Sequence, residues 1–143
     1  MPTRETALTS LAVGTSQYAQ GNALGAQQAI PVPDNGIIRA ILLTDVDDEV
    51  STTVNVWFFR SQPTVIAANN AFVLADSDLE LLIGVRLIDQ EFDAINGRIK
   101  YEECNIPYVT DRGLLWLQCE LEGSATPTYA ATTDVKIKLF IET

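Results

Sequence analysis

The chain has 143 residues, 47% of them hydrophobic and 20% charged, and a net charge of −10. That length suits one domain with a real core, and the acidic balance disfavours nucleic acid and anionic membranes as partners. Histidine is absent and the only cysteines are Cys104 and Cys119, so the commonest general base, the commonest metal ligand and a disulfide scaffold are missing from this sequence.

Residues 1–8 are polar and aperiodic, and they predict a flexible arm, ending at about residue 9, that needs a partner to become ordered. Thr9–Tyr18 carries a first strand pattern, with Leu11 and Val13 alternating with polar residues until Gly14. Gly21-Asn22 and Gly25 punctuate a turn region, and Ala26–Ile30 reads as a short edge strand stopped by Pro31 and Pro33. Pro33-Asp34-Asn35-Gly36 is a turn signal, because Asn and Gly both tolerate positive φ. Ile37–Leu43 is apolar apart from Arg39, which suits a strand covered on both faces.

After an acidic turn, Asp45–Glu49, the stretch Thr52–Arg60 predicts a central strand. Val54, Val56 and Phe58 fall on one face; Thr53, Asn55, Trp57 and Phe59 fall on the other. The runs Ile37–Leu43 and Thr52–Arg60 are expected to pair as antiparallel neighbours. Ser61–Ala68 is a loop. Ala71–Leu82 is the least strand-like region, with Asp76 placed to cap one short helix and Glu80 favouring its dipole. Ile83–Ile88 returns to strand, and Asn96-Gly97 predicts a hairpin turn into Arg98–Tyr101. Pro107 and Arg112-Gly113 bracket a further connection.

Leu114–Glu122 alternates clearly, with Leu115, Leu117, Cys119 and Leu121 against Trp116, Gln118, Glu120 and Glu122. Asp134–Glu142 does the same: Val135, Ile137, Leu139 and Ile141 inward, Lys136, Lys138, Phe140 and Glu142 outward. About eight such strands predict an all-β protein: a single antiparallel β-sandwich domain, jelly-roll-like, with one short helix.

Little in the sequence points to catalysis. Asp45, Asp47, Asp48 and Glu49 cluster as calcium ligands do, but the glycine and distal glutamate of an EF-hand are missing, so a solvated turn and no metal are expected. Glu102 and Glu103 are adjacent on a strand, where their side chains diverge, which does not suit a glycosidase pair. Cys119 sits among apolar residues, and Cys104 has acidic neighbours that raise a thiol's pKa, so neither is a reactive thiolate. Without histidine no Cys–His or Ser–His nucleophile can be built, and no phosphate-binding glycine loop occurs. The chain is expected to be no enzyme and to need no cofactor. No apolar run approaches the roughly 20 residues of a membrane span. The N-terminus lacks the basic-then-apolar order of a signal peptide, so cytoplasmic synthesis is expected.

Trp57, Trp116 and Phe140 all fall on the polar side of their strands, where a large ring is either covered by a loop or marks a protein contact. Trp57 beside Asn55 is also the pair that hints at a glycan-binding surface.

From Tyr18 onward the chain resembles a family of small virion structural proteins of tailed bacteriophages. The resemblance lies in Tyr18–Gly25, where Asn22 replaces the family's usual Asp; in Gly36-Ile37-Ile38; and in Asn70-Ala71-Phe72 followed by Asp76-Ser77-Asp78 and Ile83-Gly84-Val85. It continues in Asn105-Ile106-Pro107, Thr126–Tyr129 and Asp134–Leu139. The order and spacing of these segments carry the match, rather than any one motif. The resemblance implies a β-sandwich on the outer surface of a phage head. Such a decoration or cement protein binds the major capsid protein and stabilises the shell by binding alone. A tail, neck or head-fibre component, or a glycan-binding β-sandwich module, are the alternatives. On that footing the chain is expected to be a homodimer across a two-fold capsid contact, or alternatively a trimer. Trp57, Trp116 and Phe140 would lie at its interface, and the arm would bring Leu8, Leu11 and Val13 against the capsid or a neighbouring copy.

Overall fold

The computed structural model describes residues 3–47, 53–95 and 97–143. In chain order the elements are β1 (Thr3–Glu5), β2 (Thr9–Ser10), β3 (Ala23–Pro31), β4 (Asn35–Asp45), β5 (Val54–Phe59), α1 (Asp76–Leu79), β6 (Leu82–Ile88), β7 (Glu91–Asp93), β8 (Arg98–Val109), β9 (Leu114–Leu121) and β10 (Val135–Glu142). One sheet runs β1-β10-β4-β8-β7, with β2 also on β10; the other runs β3-β9-β5-β6. Every pairing between these strands is antiparallel. Most successive strands change sheets, and the resulting order is that of a jelly roll.

The alternation along β9 and β10 sets the core. Leu115, Leu117, Cys119 and Leu121 meet Val135, Ile137, Leu139 and Ile141 between the sheets, joined by Val54, Val56 and Phe58 from β5 and Ile38, Ile41 and Leu43 from β4. β5 is central in its sheet, as the sequence predicts. It is not the neighbour of β4, however. β4 lies between β10 and β8, whereas β5 lies between β9 and β6 in the opposite sheet. The acidic turn lacks the Gly or Asn of a tight hairpin. Both runs instead pack their apolar faces against each other across the core, which satisfies the same pattern.

The start of the chain differs from expectation. Thr3–Glu5 is no free arm: it adds an edge strand to β10, with Thr3 opposite Glu142 and Glu5 opposite Phe140. Its side chains stay exposed, so it is held by ladder hydrogen bonds rather than burial. The strand pattern at Thr9–Tyr18 yields only the two residues of β2. Beyond it the backbone crosses the side of the sandwich. Leu11 N–H donates to the Val135 carbonyl at 3.0 Å, and the Leu11 carbonyl accepts from Ala26 N–H at 2.8 Å, tying the two sheets together. Gly25 (φ +89°) permits this approach, because a Cβ there would lie 2.2 Å from the Leu11 carbonyl oxygen.

The short helix forms where expected, but Asp76 does not cap it. Asp78 reaches back instead, accepting from Ala75 N–H at 3.0 Å and from Thr64 N–H at 2.8 Å. Met1 and Pro2 of the arm, Asp48 and Glu49 of the acidic turn, Thr52 and Asn96 lie outside the described residues.

Candidate functional site

The two outer faces of the sandwich are finished differently. Over the second sheet lies the segment 61–81, a strap anchored at several points. Ile66 O accepts from the buried Gln118 Nε2 at 2.9 Å, while Asn69 N–H and Asn70 O bond to the two backbone groups of Ala23. Phe72 packs its ring on Trp57 with centroids 5.5 Å apart. Phe59, although on the outward side of β5, is 0% exposed beneath this cover. Trp57 is therefore half-buried against a loop, and its indole N–H is taken by Glu120 Oε1 at 3.1 Å. Asn55 bonds the same carboxylate at 3.2 Å, so the Trp57–Asn55 pair is committed internally and offers no glycan platform.

Among the described residues no strap crosses the outer face of the first sheet. The register places Phe140, Ala40, Leu42, Tyr101, Ile99 and Phe92 together on that side. The Tyr101 and Phe140 rings meet edge to face at 6.3 Å, and a shallow depression of about 380 Å³ opens between them, with Ala40 and Thr3 also in its lining. Lys138 Nζ lies 5.5 Å from the Phe140 centroid and 3.2 Å from Glu5, giving the patch a charged rim. Phe92 is 55% exposed at its far side. Of the expected interface residues, Phe140 thus sits on an open face. Sequence reasoning missed its companions for a physical reason. Ile99 and Tyr101 flank Lys100, and the usual rule would turn them inward; here Lys100 faces the core side and is 8% exposed, with Glu91 at 3.6 Å. Burial lowers the Lys100 pKa from its ordinary value, against the opposing pull of Glu91.

Leu11 and Val13 belong to the core, each 0% exposed, and cannot reach a partner. The cause is the crossing described above, which turns both inward. Leu8, two residues past the edge of β1's pairing, is 48% exposed. Trp116 is half-buried and lies elsewhere again, at a cleft of about 480 Å³ formed with Leu114, the start of the strap at 60–62 and the β8–β9 turn at 111–112.

The remaining candidate chemistry is structural. Both thiols are free: burial pushes Cys119 up to about 12 and Cys104 up to about 11, and Cys104 Sγ bonds the Ile38 carbonyl. Asp45 accepts from Asp47 N–H, and Asp47 accepts from Ala130 N–H, so these carboxylates pin loops together. Among the described residues no group of three or more His, Cys, Asp or Glu is gathered to hold a metal, and no helix is long and apolar enough to cross a membrane. Glu102 pairs with Arg86 at 2.8 Å while its neighbour Glu103 is exposed, so the two carboxylates do diverge. Compared with known families and curated proteins, the chain matches no family model and no curated relative.

Proposed function

We propose that the protein is a phage virion component, a capsid decoration or cement protein that docks on the major capsid protein through the outer face of its first sheet. The observation that carries this reading is the contrast between the two faces. On the second sheet the strap packs over the outward Phe59 and Trp57, leaving Trp116 half-buried beyond its start; on the first, Phe140 and Tyr101 are half-buried and Phe92 is exposed, with a charged rim and no strap over them among the described residues. Aromatic residues grouped on an open surface suit a protein contact. The ordered resemblance of segments from Tyr18 onward supplies the partner. Jelly rolls serve capsid and lectin domains alike, so the fold agrees with the reading without deciding it.

The mechanism is binding alone: a ligand held by the assembled shell and not by free subunits shifts the balance toward assembly. The chain acts as a homodimer across a two-fold contact, with a trimer at three-fold positions as the alternative, and β1 with Leu8 at the sheet edge is placed to meet a neighbouring copy. A tail, neck or head-fibre position would use the same binding mode on a different partner.

The test uses heads of the encoding phage prepared without this protein. Phe140→Ser and Tyr101→Ser, checked for an unchanged circular dichroism spectrum, are cosedimented with expanded heads, and molar mass is read by light scattering. Losing one central aromatic ring costs about 2 kcal/mol, or roughly 30-fold in affinity. Wild-type occupancy by both variants removes the docking face, and a wild-type chain that ignores heads removes the decoration reading.

A further inference from the structure

Trp116 occupies a different kind of place from the docking face. It projects from β9 on the outward side of the second sheet, opposite Ala29 on β3 and Phe59 on β5, where the strap begins and leaves it half-buried. Its cleft is on the far side of the sandwich from Phe140. Trp116 and Leu114 provide the apolar part of the lining, and Arg60 and Arg112 provide two cations. In a chain of net charge −10, neither arginine forms an ion pair among the described residues. Arg39, Arg86, Arg98, Lys100 and Lys138 do; Arg4 and Lys136 also lack one among the described residues, but neither lines this cleft. Hydrogen-bonding groups complete the lining: Gln62, held by Gln27 at 2.8 Å, and Asp111, whose carboxylate accepts from Ser61 Oγ. The frame is firm, since Asp111 N–H donates to the Arg60 carbonyl at 3.3 Å and Arg60 N–H to the Leu81 carbonyl at 3.0 Å.

We propose that this cleft binds an acidic sugar unit of a polysaccharide. An apolar wall with a few placed polar groups is how small ligands are held. The indole offers a flat surface to the C–H face of a pyranose. Guanidinium groups match a carboxylate in geometry and charge, where a neutral sugar would leave both cations without a counterpart. Gln62 and the second Asp111 oxygen are left to meet ring hydroxyls. An aromatic wall distinguishes this ligand from a free inorganic anion, and the hydroxyl-directed groups distinguish it from an acidic peptide. The proposal stands apart from the docking face and is tested on the protein alone.

The probes are N-acetylneuraminic acid, glucuronic acid, glucose and a blocked Gly-Glu-Gly peptide, titrated into ¹⁵N-labelled protein. The two indole N–H signals, assigned with Trp116→Phe, separate the cleft from Trp57, which packs against the strap. At least one acidic sugar should move the Trp116 signal saturably, with a millimolar Kd, and leave Trp57 still. Glucose should bind at least about tenfold more weakly, and Arg60→Gln or Arg112→Gln, both at exposed positions, should cost a similar factor. Absence of saturable shifts with either acidic sugar overturns the proposal. So does equal binding of glucose, which would remove the arginines from recognition, or tighter binding of the peptide, which would make the ligand an acidic protein segment.

Discussion

Gly25 shows how much one residue can decide. Its φ of +89° lies in the left-handed region, and the Leu11 carbonyl fills the space a methyl group would need. Gly25→Ala therefore meets backbone strain and a steric clash together, at a cost of roughly 3 kcal/mol or more. Urea unfolding should show a lower midpoint at unchanged slope. A variant as stable as the wild type would mean that the crossing segment yields easily, and that Leu11 and Val13 are less firmly seated than their burial suggests. The two leucine-and-valine positions also show where sequence alternation misleads. Leu11 and Val13 look like one face of a strand, and a polar arm before them invites a partner. Their destination is set by residues a dozen or more positions away, Ala26, Thr132 and Val135, which local pattern cannot reveal.

The strap is the element whose role was least legible. Ala71–Leu82 is placed outside the strands with one short helix, correctly except for Leu82, which opens β6, yet nothing in its sequence names the face it covers. That information lies in Trp57 and Phe59, which make β5 apolar on both sides and so require a cover. By contrast β9 and β10 could be read residue by residue, because strict alternation over eight residues fixes which side faces the core. The open face around Phe140 was only partly legible, since the inward turn of Lys100 inverts the pattern at the start of β8.

Asp78 holds the strap's two arms together and is 2% exposed. Hydrogen bonds from Thr64 N–H, then Ala75 N–H, outweigh its burial and lower its pKa below the ordinary carboxylate value. A group whose pKa falls on folding contributes stability above its unfolded pKa and loses that contribution as pH drops through the folded one. The strap should thus loosen only as pH falls below the usual aspartate range. Asp78→Asn keeps the shape but replaces one acceptor oxygen by a donor, so it should destabilise by about 2 kcal/mol at neutral pH and flatten the acid limb of the stability curve. Thermal melts from neutral pH down to about 2 in both proteins measure this. Parallel acid limbs would assign the loss to other carboxylates.

The whole molecule is wound so that its extremes meet: Thr3 pairs with Glu142 across the full length of the described chain. β10 is inserted between β1 and β4, and the connections of the jelly roll carry most strands to partners distant in sequence. Contacts of that kind must close long loops before they are rewarded, which places refolding in the millisecond-to-second range, well behind a helical bundle of this size. Stopped-flow refolding followed by tryptophan fluorescence checks the expectation, and a microsecond phase carrying the full amplitude would contradict it. A nascent chain faces the same constraint in a harsher form. Until β10 has emerged from the ribosome, β4 presents eleven largely apolar residues with one edge unpaired. Two unfinished chains on one message could then join β4 to β4, so slow translation between β4 and β10 would favour aggregates over folded protein.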